Sequence, residues 1–172
     1  MVALFWTTTQ EHDYDWHTVA SLYWKRYPNP NSKHVLSEDI LSQQVDVNNG
    51  LLRVKRLVSK VNKIPWWTQK YFNAKVVWLT EEIIVDPKSK ILTTYIRNIN
   101  LAVWATTTEK VIYKPSEKNP GNTIAIKKVW IDSEKKYGLG RFIKRFSLNS
   151  YKKNCVKAAE GFNWVLKKGI EQ

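Results

Sequence analysis

One cysteine, Cys155, stands in the 172 residues, which excludes an internal disulfide and any zinc site built from several cysteines. The three histidines, His12, His17 and His34, fall in no zinc-protease spacing, and neither a Gly-x-Ser-x-Gly elbow nor a phosphate-loop motif occurs. Gly-Leu-Gly at 138–140 lacks the rest of a dinucleotide fingerprint. His34 with Glu38 and Asp39 comes nearest to a metal cluster, yet on a strand residues 34 and 38 share a face while 39 points away. These absences argue against an enzyme and leave no expected cofactor or metal. No apolar run approaches the roughly 20 residues of a membrane span. The N-terminus "MVALFWTTTQEHDYDW" has neither the basic start of a secretory signal nor the Arg-rich amphipathicity of a transit peptide, so a soluble protein without a cleaved leader is expected.

Acidic residues are scarce as well. The 28 Lys and Arg against 15 Asp and Glu give a net charge of +13, which points to an anionic partner such as nucleic acid or a membrane surface. The first 24 residues carry Glu11, Asp13 and Asp15 and no Lys or Arg, so the positive excess lies beyond them, densest at 53–63 and 127–153. Nine tryptophans suit either core packing or the boundary between apolar matter and polar headgroups. The length fits one domain over 1–172, and 43% hydrophobic content suffices for a core.

A first strand is expected at about 3–9, then a helix capped by Asp13 or Asp15. Its apolar face is Trp16, Val19, Ala20, Tyr23, Trp24 and Tyr27, and Pro28 ends it. Strands follow near 35–47, 51–60, 75–85, 90–98, 101–114 and 122–132. The turn-rich joints "VNNGLL", "DPKSK" and "KPSEKNPGN" are too short for parallel crossovers, so an antiparallel meander results. The stretch "NKIPWWTQKYFNAK" is too long for a tight turn and reads as a short helix or flap. From about Ser133 to Gly169 one helix or two should follow, with Gly138 and Gly140 as the interruption. The fold class is thus α+β: a curved antiparallel sheet gripping a long C-terminal helix, with a cavity between them that could hold an apolar ligand.

Within "LLRVKRLVSK", period two puts Leu52, Val54, Arg56, Val58 and Lys60 on one face. The ordinary reading is a solvated edge with long cationic stems, whereas an inward Lys60 would need an anion. The C-terminal helix carries two stripes. One is Leu148, Tyr151, Cys155, Ala159, Phe162 and Leu166; the other is Ile143, Phe146, Ser150, Lys157, Gly161 and Trp164, with Asn154 at its margin. Lys157 in an apolar stripe either snorkels to solvent or meets a negative charge. "RYPNP", with Lys25 and Arg26 at the end of a helix, reads on its own as helix punctuation.

The run "RYPNPNSKHVLSEDI" followed by "RLVSKVNKIPWW", "VDPKSKILTTYIRNIN" and "NCVKAAEGFNWV", in that order and spacing, resembles the PRELI/MSF1 family across essentially the whole chain, in a form nearer its PRELI branch than its slowmo branch. The resemblance implies a lipid-transfer protein of the mitochondrial intermembrane space, with a seven-stranded sheet and helices around a phospholipid cavity closed by a lid. For the PRELI branch it implies a carrier of phosphatidic acid from outer to inner membrane, feeding cardiolipin synthesis. It also implies a heterodimer with a small twin Cys-x9-Cys protein and transient contact with anionic membranes. Carried onto this sequence, the headgroup-binding positions are Arg26, His34, Lys60, Asn154 and Lys157. The lid falls on 64–73, with Ile64, Pro65, Trp66, Trp67 and Phe72 as its membrane-contacting residues. Ser150 stands where the family carries a further basic residue. Two other readings compete: phosphatidylserine as cargo, which the slowmo branch favours, and an RNA-binding module, which would use the same charge and aromatics but lacks an RNP-like "GFGFV" run.

Overall fold

The computed structural model describes residues 3–61, 76–135 and 138–171. Strand β1, Leu4–His12, alternates half-buried Leu4, Trp6, Thr8 and Gln10 with exposed Phe5, Thr7, Thr9 and Glu11, the period of a sheet with one covered face. Asp15 then caps helix α1, Trp16–Leu22, accepting from the amides of His17 at 2.9 Å and Thr18 at 3.2 Å. The expected helix was longer. Its last residues instead tighten into a 3-10 turn, Tyr23–Lys25, and a second 3-10 turn spans Pro30–Ser32.

Six further strands follow: β2 Val35–Asp46, β3 Leu51–Val61, β4 Val76–Asp86, β5 Ile91–Asn98, β6 Thr106–Pro115 and β7 Thr123–Asp132. All pairings are antiparallel, and the sheet order is β1-β7-β6-β5-β4-β3-β2. The meander is as expected except at β6, which begins at Thr106 rather than near 101. Residues 101–104 form a turn because the Asn98 side chain intervenes: its Nδ2 donates to the Ala105 carbonyl at 2.8 Å and its Oδ1 accepts from the Thr107 amide at 2.7 Å.

The C-terminal helix α2, Leu139–Ile170, is one uninterrupted element. Gly138, at φ +80°, does not break it but precedes it, in a conformation open to glycine. The stripe through Phe162 and Leu166 lies on the sheet. With Trp16, Val19, Tyr23, Val54, Ile83, Leu92, Tyr113 and Val165 it makes the larger core. A smaller core at the other end joins Ala105, Val129, Ile131 and Ile143, with Trp6, Leu148 and Tyr151 packed against it. Between them runs a polar belt, because the inward alternation of each strand is interrupted there: Lys127 between Ala125 and Val129, Glu109 beside Val111, Glu81 between Leu79 and Ile83, Arg56 between Val54 and Val58.

Candidate functional site

The belt's densest part is a buried charge quartet. Arg56 stands opposite Glu81 in the β3–β4 register, and Glu81 is fully buried. Arg26 arrives from the end of the Tyr23–Lys25 turn, and its Nη2 donates to both Glu81 oxygens, at 2.8 and 2.7 Å. Arg56 Nε and Nη2 donate to Glu81 Oε2 at 3.0 and 2.6 Å, while Arg56 Nη1 lies 2.9 Å from Glu38 Oε1. Tyr23 donates its hydroxyl to Glu81 Oε1 at 2.7 Å and accepts from Arg26 Nη1. The Arg26 guanidinium also sits over the rings of Tyr23 and Tyr27, at 4.4 and 4.8 Å from their centroids.

Two arginines face two carboxylates, so the quartet is neutral. Burial works against the charge on Arg26, but Glu81 more than compensates and holds the guanidinium above its ordinary range. Burial pushes the Glu38 carboxyl up, against the pull of Arg56 and then Arg26. Arg56 is therefore not part of a solvated edge: it is 4% exposed and ion-paired. Nor is "RYPNP" mere punctuation. The Tyr27–Pro28 peptide is cis, and Asn29 Nδ2 donates to the Arg26 carbonyl at 2.7 Å while its Oδ1 accepts from the Asn31 amide at 3.0 Å. This folded loop presses on α2 at Gly161, where an added Cβ would stand 2.4 Å from Asn29 Oδ1. Asn31 Nδ2 reaches the Lys157 carbonyl at 3.4 Å and Glu160 at 3.2 Å.

The same contacts assemble a second group of cations. His34 is tied to β3 by its carbonyl, which accepts from the Val61 amide at 2.8 Å, and the next residue pairs with Lys60. Lys157 is brought alongside by Asn31. Partial burial, then the charges of Lys60 and Lys157, hold the His34 imidazole below its ordinary value. Burial lowers Lys60 likewise, with Glu109 opposing at longer range. Among the described residues neither Lys60 nor Lys157 makes an ion pair within 4 Å. Lys60 and Lys157 thus form a basic lip beside the His34 imidazole. Asn154 is exposed on α2 about one turn before Lys157, on the same side.

Between sheet and α2 lies a cavity of about 90 Å³ lined by residues that include Arg26, Tyr27, Thr94, Glu109, Lys127 and Ala158, the last of them next in sequence to Lys157. Ligand pockets for drug-sized molecules span about 300–1,000 Å³, so this space admits a polar group of a few heavy atoms and not the acyl chains that the expected container would enclose. The reason is filling by aromatic side chains: Tyr23, Tyr113 and Phe162 meet edge to face in this region. His12 is buried against Tyr113 and Phe162. Its Nδ1 lies 2.7 Å from Asn163 Oδ1, and desolvation lowers its pKa, keeping it neutral.

A family model described as PRELI-like matches residues 17–172. The chain belongs to the PRELI-like family. PRELI domain-containing protein 1, mitochondrial, of Gallus gallus is 38% identical over 154 residues, covering 88% of this chain and 71% of that protein. Protein UPS1, mitochondrial, of Saccharomyces cerevisiae is 30% identical over 155 residues, covering 90% and 87%. The slowmo homolog of Dictyostelium discoideum is 27% identical over 154 residues, covering 90% and 67%. Among solved structures, a Thermus thermophilus protein superposes with a TM-score of 0.66 at 11% identity, over 96% of this chain and 99% of that one. The Zhui aromatase/cyclase of Streptomyces superposes at 0.62 and 11% identity, over 98% and 96%. These two share the fold.

Of the residues singled out in the sequence, the structure brings His34, Lys60 and Lys157 together, sets Asn154 beside them, and places Arg26 deeper, held by Glu81 and Glu38 while lining the cavity. Ile64, Pro65, Trp66, Trp67 and Phe72 lie outside the described residues. Sequence reasoning passed over Glu81, Glu109 and Lys127, and weighed Glu38 only as a metal ligand. For Glu81 and Lys127 the signal was a charge at an inward position of an otherwise apolar alternation, Val77-Leu79-Glu81-Ile83-Val85 and Ala125-Lys127-Val129-Ile131.

Proposed function

We propose that this chain is a mitochondrial carrier of an anionic phospholipid, phosphatidic acid, and that it performs no covalent chemistry. The observation that carries this reading is a basic lip, Lys60 and Lys157 beside His34, without an ion pair among the described residues, in a fold whose curved sheet and long helix hold a cavity lined by Arg26. Phosphate, with one to two negative charges, is the headgroup such a lip attracts most strongly. Membership of a family whose relatives are named mitochondrial supports the compartment, with the intermembrane space as the setting. The twin Cys-x9-Cys partner and the delivery of phosphatidic acid to the inner membrane for cardiolipin synthesis follow from the same family reading.

The 90 Å³ cavity then belongs to the unloaded form. Loading has to part α2 from the sheet near Phe162, so that two acyl chains replace aromatic contacts, each buried methylene contributing about 0.8 kcal/mol. Mixing donor liposomes holding labelled phosphatidic acid with unlabelled acceptors tests the reading. Transfer should rise in proportion to protein, and a rate equal to the protein-free control would refute it. Phosphatidylserine run side by side decides the cargo, since the slowmo homolog is also a relative.

A further inference from the structure

The polar belt holds one cation that the lip does not use. Lys127 projects from β7 toward α2 and is 8% exposed. Among the described residues its ammonium has a single hydrogen-bonding neighbour, Cys155 Sγ at 3.6 Å, a weak acceptor, and no ion pair. An ammonium this poorly satisfied is unfavourable in a buried setting, and a bound anion would supply what it lacks.

Two more orphaned polar atoms line the same cavity. Among the described residues Arg26 Nε is buried without a partner, although the rest of its guanidinium is engaged, and Thr94 Oγ1, on a residue 1% exposed, has none either. Native structures rarely leave several such atoms around one cavity unless something occupies it. Glu109, the carboxylate on this lining, is engaged by the Tyr151 hydroxyl and does not reach Lys127 within 4 Å. The lining therefore offers Lys127, Arg26 Nε and Thr94 Oγ1 to an acceptor-rich group, and its volume suits a phosphate.

We propose that this cavity is an oxyanion pocket whose principal donor is Lys127, taking a phosphate group either as free phosphate or as the monoester at the head of a lipid. The lipid arm rests on the transfer reading above; the free-phosphate arm does not. A headgroup would seat against Lys127, which makes Lys127 a specificity-determining residue for a phosphomonoester, with its one to two negative charges, over a singly charged phosphodiester.

The test titrates the full chain, and its Lys127→Met and Lys127→Arg variants, with inorganic phosphate by calorimetry, and measures phosphatidic acid transfer and melting temperature on the same samples. Phosphate should bind the wild type and the Arg variant. The Met variant should bind it at least tenfold more weakly, transfer phosphatidic acid at least tenfold more slowly, and melt at or above the wild-type temperature because an unpaired charge has been removed. Phosphate binding and transfer both unchanged in Lys127→Met would overturn the pocket while leaving the transfer reading intact. A wild type that binds phosphate through Lys127 but moves no lipid would keep the pocket as a free-anion site and refute transfer. A wild type that binds no phosphate, or a Met variant that melts far lower with its phosphate affinity retained, would assign Lys127 to packing and overturn the proposal.

Discussion

The quartet and the lip use the same side-chain chemistry to opposite ends. Arg26 and Arg56 are neutralised in place by Glu81 and Glu38, with Tyr23 completing the hydrogen bonds, whereas Lys60 and Lys157, beside His34, have no carboxylate within ion-pair distance among the described residues. A buried pair contributes little net stability but is costly to break, because the survivor is left uncompensated. Lysines without a carboxylate partner gain no ion-pair stabilisation in the folded state and keep their attraction for an incoming anion. The quartet therefore fixes how the "RYPNP" loop sits on α2, and the lip is free to bind.

Breaking the quartet should have the largest effect. Glu81→Gln leaves two arginines against Glu38 alone and should lower unfolding stability by about 3–5 kcal/mol in urea titration. Adding Arg56→Met should lose less than the sum of the two single changes, since it removes one of the stranded charges. Arg26→Glu, which would melt almost normally if Arg26 served the ligand alone, should instead be strongly destabilising because it puts a third carboxylate beside Glu38 and Glu81. Arg26→Lys keeps the charge but loses the fork and isolates the binding role better.

Next in size is Gly161→Ala. It gains helix propensity but drives Cβ into the Asn29 amide, so a net loss of about 1–3 kcal/mol is expected by thermal unfolding.

A smaller and pH-dependent effect belongs to His12. Its folded pKa lies below the ordinary 6.5, so the stability it allows is complete above that value and is lost as the pH falls through the lower folded value. His12→Gln should flatten the stability profile on that acid side, and an unchanged profile would show that His12 is not the group responsible.

These variants also show how much the chain discloses unaided. Period-two runs and turn residues located the strands, and a cap at Asp13 or Asp15, of which Asp15 does the capping, located the start of α1, because those signals are local. The start of β6 was misjudged because Asn98 bonds to Ala105 and Thr107 across a turn, a contact no periodicity shows. The lip residues were legible through family resemblance. The quartet was half legible: Arg56 and Glu81 each interrupt an apolar face, but that the two interruptions meet is fixed by the β3–β4 register. Arg26 was seen as a cation at a helix end and its carboxylates were not, since they come from β2 and β4, far along the chain.

The smallest stability effect and the largest functional one should come from the lip, so the paired variant Lys60→Met with Lys157→Ala tests the division of labour most directly. Phosphatidic acid transfer between liposomes and melting temperature would be measured on the same preparation. Two lost charge-assisted contacts to phosphate should slow transfer at least about tenfold. The melting temperature should stay within about 2 °C of wild type. Transfer at the wild-type rate, or a collapse in melting temperature, would contradict the account.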